Sequence, residues 1–284
     1  MKSAIPRKKS LQAAGLSALL LRPQGGSTEA RLFNTSKGTV SGYFDNPFRL
    51  ASAVTPYNGR TSIYITLNEL HPAVQARARN RLISHARVTT ANEDIVRRQW
   101  FGVDIDPVRP RGVPSTDQEL AAALGRRDAV VEYLCQAGGF PPCLRIMSGN
   151  GGWGLWRVDL PNTSEVSLVC KQALQAADQR FSDSTARVDP AVHAAAQLIK
   201  LPSTIAVKGD PMPDRPHRRV EIQPPIPFHL SSDVQLVTLD HLRWLAAQRQ
   251  AAKRTHSVPA ATHASNLMEL FKANGLYVRE LPDA

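Results

Sequence analysis

Cysteine, acidic side chains and long apolar runs are all scarce in this chain of 284 residues. The three cysteines, Cys135, Cys143 and Cys170, are an odd number without Cys-x-x-Cys spacing, which argues against a disulfide framework and a structural zinc site. No apolar run approaches the roughly 20 residues of a membrane span. We therefore predict a globular protein that does not cross a membrane.

Acidic residues are outnumbered by basic ones. The chain has 35 Lys and Arg against 24 Asp and Glu, which gives a formal net charge of +11 and a pI of about 10.0. Such a balance indicates a polyanionic partner, most often nucleic acid. Any single basic cluster is more simply interpreted as a solvated face.

The N-terminus imitates a secretory signal but does not end like one. Basic residues precede an apolar stretch over 11–21, yet Arg22 and Pro23 stand where small residues would lead to a cleavage site. We interpret residues 1–38 as a basic arm with a short helix, and we expect a cytoplasmic location.

Residues 39–223 alternate strand and helix patterns and form the predicted catalytic domain. Strands are predicted over 39–44, 62–67, 99–105, 144–147, 155–160 and 219–222, and helices from 47, over 71–82, from 115 or 116 to 137, and over 163–181. This order predicts an α+β (α/β mixed) fold with an antiparallel or mixed sheet flanked by helices. Residues 224–284 read as a proline-rich linker followed by helices over 234–253 and 265–275.

Two carboxylates end the strand predicted over 99–105. Asp104 and Asp106 are two residues apart, so their side chains project from one face of a strand. Hard oxygen ligands of this kind suit Mg²⁺ or Mn²⁺, and a pair of such ions could activate a hydroxyl and stabilise a leaving phosphate. Alone, the pattern is weak, because acids at strand ends are common on protein surfaces.

A glycine-rich connection follows between the two strands of a predicted hairpin. Ser148, Gly149, Asn150 and Gly151 offer backbone N–H groups with little steric bulk, which can approach phosphate oxygens closely. An ordinary hairpin turn has the same composition.

Taken as an ordered set, these segments resemble the archaeo-eukaryotic primase superfamily, in the primase-polymerase branch of phages and mobile elements. The resemblance runs from about Thr39 to Arg219 and is carried by 39–45, 64–68, 97–110, 148–151, 157–162, 188–189, 208–210 and 215–218.

The resemblance implies a core with an RRM-like mixed sheet and an added N-terminal αβ module over about 39–97. It implies that Asp104, Asp106 and Asp189 hold two Mg²⁺ or Mn²⁺ ions, and that nucleotide contacts come from Ser148, Gly149, Asn150, Gly151, Trp153, Lys200, Lys208 and Arg218. The implied activity is template-dependent nucleotidyl transfer, as a DNA primase or polymerase. Its partners would be nucleoside triphosphates, a single-stranded or primed DNA template and a helicase. Without the resemblance, Asp189 before Pro190 would be interpreted as a helix cap.

Two positions depart from the family pattern. Trp153 stands where the family has a histidine that contacts phosphate, and its indole could stack on a base or fill the core. Gln197 stands at the position of an arginine, while Lys200 keeps its cation. Compared with the family pattern, the sequence keeps the three aspartates but has fewer charged side chains that could contact phosphate.

Two other functions fit parts of the sequence. A primase-like domain that has lost catalysis would still bind a strand or a nucleotide. A haloacid-dehalogenase-type phosphatase would use Asp104 as nucleophile and Asp106 as acid and base, with Ser148 and Asp210 or Asp214 as further elements. The absence of any His-x-His pair among eight histidines disfavours a rolling-circle nuclease.

Overall fold

The computed structural model describes residues 7–22, 25–226 and 234–249, with side chains from residue 11 onward. These residues belong to one compact unit. The helix predicted over 265–275 lies outside the described residues, and so does the end of the helix predicted over 234–253, beyond residue 249. No helix in the described ranges combines the length and the apolar character that a membrane crossing requires.

Five α-helices and twelve strands make up the described fold. The helices are α1 (Arg7–Leu20), α2 (Pro47–Val54), α3 (Asp117–Gly138), α4 (Ser164–Phe181) and α5 (Leu239–Ala247). The strands are β1 (Thr28–Thr35), β2 (Gly38–Phe44), β3 (Ile63–Thr66), β4 (Glu69–Leu70), β5 (Ile95–Pro107), β6 (Leu144–Met147), β7 (Gly152–Pro161), β8 (Ala186–Val188), β9 (Leu198–Lys200), β10 (Ile205–Ala206), β11 (Arg218–Arg219) and β12 (Glu221–Gln223).

Two sheets carry the architecture. A four-stranded sheet has the order β2-β1-β3-β9, and a six-stranded sheet has the order β12-β6-β7-β5-β4 with β8 paired to β5. Every pairing among the described strands is antiparallel. The α+β class is confirmed, and of the two sheet types expected the antiparallel one is found.

Local sequence explains where the helices begin. Asn46 caps α2 by accepting from two backbone N–H groups, and Pro47 occupies the first turn. Thr116 and Glu119 form a capping box on α3, which ends at Gly139 in the left-handed conformation. These boundaries follow the predictions to within a residue or two.

The helix predicted over 71–82 is wrong beyond its first turns. Only the short 3-10 helix Pro72–Arg77 forms, and the chain then runs beside β2. The backbone of β2 bonds to it, through Tyr43 N–H to the carbonyl of Ala78 at 3.0 Å and Ser41 N–H to that of Ile83 at 3.1 Å. The backbone carbonyl groups that would accept hydrogen bonds within a helix therefore accept them from β2, and the segment covers the edge of the four-stranded sheet.

The N-terminal αβ module does not coincide with residues 39–97. Its sheet includes β1, from the segment predicted as an arm and helix, and β9, from the far end of the chain. β9 pairs with β3 so that Lys200 lies opposite Tyr64. This pairing places Lys200 at the cleft beside the six-stranded sheet.

The main core lies on both faces of β5 and β7. Helix α3 covers one face, where Gly152 and Gly154 leave room for Arg127 and Val131. Trp156 is 1% exposed and contacts the rings of Phe101 and Phe140. A β5 strand held on both sides and on this face is a rigid support for the residues at its end.

Candidate active site

Asp104 and Asp106 lie near the carboxyl end of β5, on the face opposite α3. β7 pairs with β5 on one side and β8 on the other, so both neighbours fix the strand here. Asp104 is half-buried, whereas the Asp106 side chain is 51% exposed. The pair predicted from spacing is therefore held on one face, with the outer carboxylate open to solvent.

Asp189 is brought to the same place by β8. Its backbone N–H donates to the carbonyl of Asp104 at 2.9 Å, directly after Val188 pairs with Ile105. Its carboxylate accepts from the N–H of Ala191 at 2.8 Å and caps the turn Pro190–His193. The segment that carries the third acid is thus adjacent to the first, while its side chain performs the capping role that the sequence also allowed.

Within the described ranges, no three acidic, histidine or cysteine side chains are placed so that they could share one metal ion. Asp104 and Asp106 lie together, and Asp189 contributes charge from its cap position. The three-carboxylate ligand set therefore stays a prediction.

Two cations face these acids. The Arg109 side chain is 6% exposed, lies 3.5 Å from the Asp106 carboxylate and donates to the carbonyl of Val113 at 3.1 Å. The Lys200 ammonium lies 5.7 Å from the centre of the Tyr64 ring. Both cations offset carboxylate charge that would otherwise be concentrated at the strand end.

Burial has the largest effect on the pKa values of Asp104 and Lys200. Burial, followed by the charge of Asp106, raises the pKa of Asp104 well above its usual range, and Lys200 opposes this shift. Burial lowers the pKa of Lys200, while Asp104 and Asp106 act in the opposite direction. Burial therefore disfavours the charged form of both Asp104 and Lys200, and each is partly compensated by the opposite charge of the other.

The glycine-rich loop lies against the acids but is closed on itself. The Ser148 N–H donates to the carbonyl of Gly151 at 2.9 Å, and the Gly151 N–H donates to the Ser148 hydroxyl at 3.2 Å. A Cβ at Gly151 would lie 2.3 Å from the carbonyl oxygen of Ile105 and 3.1 Å from an Asp106 carboxylate oxygen. Only glycine permits this close approach.

Asn150 and Gly149, the other residues of this loop, make contacts within the protein. Asn150 is buried and accepts from the N–H of Ser115 at 2.9 Å. Gly149 has φ of +90°, and a Cβ there would lie 2.4 Å from that of Ala206. These contacts explain the residue types without a ligand.

The predicted cations divide into two kinds. Arg218 donates to the carbonyl of Ser115 at 2.8 Å and to Asp117 at 2.6 Å, so it ties β11 to the start of α3. Lys200 and Lys208 line one cavity, and both are close enough to Asp104 and Asp106 for these acids to act on their pKa values. Burial lowers the pKa of Lys208.

Trp153 lies in the interior. It is opposite Asp104 in the β5–β7 ladder but is only 5% exposed, and its ring covers Gly102, where a Cβ would lie 2.8 Å from it. Trp153 and Gln197 line the same small interior cavity. The two departures from the family pattern are therefore neighbours, and of the two roles open to the indole, core filling is the one its burial supports.

Tyr64 and Arg109 were not among the predicted site residues. Tyr64 is part of the 64–68 motif and is close enough to the acids that Asp104 and Asp106 add to the rise in its pKa, which burial dominates. Arg109 follows Asp106 by three residues within the 97–110 motif. Both residues could have been predicted from the sequence, Tyr64 because it lies in the 64–68 motif and Arg109 because it follows Asp106 by three residues.

The raised pKa of Asp104 leads to a prediction on stability. Its contribution to folding is fully present below about pH 3.9 and is lost as the pH rises through the folded-state value. Asp104→Asn removes this loss, so we expect the free energy of unfolding at pH 7 to rise by about 0.5 to 2 kcal/mol. Urea unfolding at pH 7 and at pH 3.5 measures the effect. A variant that is less stable than the wild type at pH 7 would contradict the electrostatic account.

No protein-family model matches the chain, and no curated protein matches it. Among solved structures, the chain is similar to primase RepB′, with 14% identity and a TM-score of 0.44 over 94% of this chain and 68% of that one. The catalytic domain of primase RepB′ in complex with initiator DNA shows 14% identity and a TM-score of 0.43, over 84% of this chain and 94% of that one.

A third similar structure is the polymerase domain of Ligase D from Mycobacterium tuberculosis in complex with DNA. Its identity is 13% and its TM-score 0.42, over 85% of this chain and 88% of that one. Two of the three are named as a primase or its catalytic domain, and the third as a polymerase domain.

Proposed function

We propose that the protein joins nucleotides on a nucleic-acid template, using divalent ions held at Asp104 and Asp106. The observation that supports this most is the acid cluster: two carboxylates on one strand face, and a third residue, Asp189, bonded through its backbone to Asp104. Such clusters raise carboxylate pKa values and attract divalent cations.

The residues present fit Mg²⁺ or Mn²⁺ in part. Asp104 and Asp106 would supply hard oxygen ligands, and Asp189, one oxygen of which accepts from the Ala191 N–H, would be the third acid. Arg109, 3.5 Å from one Asp106 oxygen, would share this carboxylate with a bound ion or be displaced by it. Bound ions would activate the attacking 3′-hydroxyl and stabilise the leaving pyrophosphate.

The chain's own residues bind and orient the substrate. Lys200 and Lys208, which line the cavity beside the acids, are suited to the phosphates of a nucleoside triphosphate. Gly151 allows the loop to stay close to Asp106 without a side chain in between. Positioning and charge are the main contributions of a protein to phosphoryl transfer.

A second function, strand or nucleotide binding without catalysis, is favoured by specific contacts. Arg109 already occupies the side of Asp106 where a cation would bind, and Ser148, Gly149 and Asn150 are used internally. Trp153 replaces a charged phosphate contact with a buried indole.

The phosphatase interpretation has less support. The Asp214 side chain is 64% exposed and its nearest cation is its neighbour Arg215, at 3.9 Å. The charges that shift the pKa of Asp104 come from Asp106, Lys200, Asp189 and Arg109, and Asp210 is not among them.

Three measurements on the same preparation separate these functions. The full chain is incubated with labelled nucleoside triphosphates and a DNA template, with and without a primer and Mn²⁺, and strand binding is measured on the same preparation. Metal-dependent labelling of DNA supports nucleotidyl transfer. Strand binding without labelling supports the binding module, and release of phosphate from a generic ester supports the phosphatase.

A further inference from the structure

Two separate cavities meet at one end of the four-stranded sheet, where they share part of their lining. The first, of about 430 Å³, is lined by Tyr64, Lys200 and Lys208 and lies beside the acids. The second, of about 710 Å³, is lined by Lys37 and Arg81. Both share Asn34, Arg60 and Thr61 in their lining. We call the two together the basic groove.

Four cations of the basic groove have no acidic partner within the described residues. Among the ion pairs found there, none includes Lys37, Arg60, Arg81 or Lys208. By contrast, Arg77, Arg79 and Arg97 on nearby segments each pair with an aspartate. The positive charge of the groove is therefore available to phosphate groups.

An aromatic pair lies in the first cavity. Phe33 is 37% exposed, although its neighbour Leu32 is fully buried. Its ring meets that of Tyr64 edge to face, with centroids 5.5 Å apart. An exposed phenyl ring between cations is the arrangement on which bases of a single strand stack.

We infer that a single-stranded nucleic acid lies along the basic groove, with bases against Phe33 and phosphates at Arg60 and the cations beyond it. The path leads to Tyr64 and Lys200, and so places the strand beside Asp104. A nucleoside triphosphate held at Lys200 and Lys208 would not contact Arg81 or Lys37, whereas a strand running through both cavities would. This inference names the strand-binding surface and rests on the proposed function only for the role of the bound strand.

The test is fluorescence anisotropy of a labelled single-stranded oligonucleotide with the full chain, without metal or nucleotide. We expect Phe33→Ala to weaken binding about tenfold, because the stacking of one base is removed. Arg60→Glu should also weaken binding and lower its salt dependence. The slope of log K against log salt should fall by about 0.7 for each phosphate that the protein no longer neutralises.

Lys171→Glu is the matched control. Lys171 is exposed on α4, makes no ion pair within the described residues, and its replacement changes the charge by the same amount. It should bind the oligonucleotide as the wild type does. Thermal unfolding of each variant checks that the chain is folded.

Several results would overturn the inference. Wild-type affinity in both Phe33→Ala and Arg60→Glu would place the strand elsewhere, and an equal loss in Lys171→Glu would reduce the effect to net charge. Weaker binding of a nucleoside triphosphate, with oligonucleotide binding unchanged, would make the groove a nucleotide pocket. If the variants lose strand binding while the wild type incorporates no nucleotide, the groove stands and the proposed catalysis fails.

Discussion

Asp106→Asn is expected to reduce metal-dependent nucleotide incorporation by a factor of about 1,000 or more. The substitution keeps the size of the side chain but removes the charge that faces Arg109 at 3.5 Å and a metal ligand of the proposed site. Several kcal/mol of transition-state stabilisation accompany a bound metal, which corresponds to this loss of rate. Primer extension with Mn²⁺ at saturating template measures it.

Strand binding should be nearly unchanged in the same variant, because Asp106 is not part of the basic groove. Asp240→Asn serves as the control, since Asp240 is an exposed acid on α5 that pairs with Arg243. Full incorporation by Asp106→Asn would remove the carboxylate pair from the mechanism. Equal losses in both variants would point to an effect of net charge.

Trp153→His is expected to destabilise the protein without restoring a phosphate contact. Trp153 is 5% exposed and its ring fills the space over Gly102 beside Gln197. Replacing a buried indole with a smaller polar ring leaves a cavity and a polar group to satisfy, at a cost of about 3 to 5 kcal/mol. Urea unfolding measures the cost.

The double variant Trp153→His with Gln197→Arg tests whether the two positions act together. Both line one cavity, so their effects should not add. A gain in triphosphate affinity with unchanged stability in Trp153→His alone would contradict the interior role of the indole.

Local patterns in the sequence were reliable where local physics decides the structure. The starts of α2, α3 and α4, where Asn46, Thr116 and Thr163 cap the helices, were predicted because each depends on residues a few positions apart. Long-range pairings were not accessible in this way. The joining of β9 to β3, which places Lys200 opposite Tyr64, depends on contacts between segments far apart in the chain.

The candidate site shows the same division. Spacing alone predicted that Asp104 and Asp106 share one face of a strand, and β8 brings the backbone of Asp189 beside Asp104, while the role of Asp189 as a metal ligand stays a prediction. The cap at Asp189 is local and was open to prediction, whereas the bonds of Arg218 to Asp117 and of Asn150 to Ser115 depend on the folded arrangement of the chain. The residue types alone are compatible with either ligand binding or these internal bonds.

The most direct test of the account is a crystal structure of the protein soaked in Mn²⁺, with the metal located by its anomalous scattering. We predict a peak within about 2.0 to 2.4 Å of oxygens from both Asp104 and Asp106, with Asp189 turned away from the Ala191 N–H. Arg109 should then have left Asp106. Crystals that show no metal peak at these carboxylates, with Arg109 still paired to Asp106, would contradict the proposed metal-dependent chemistry.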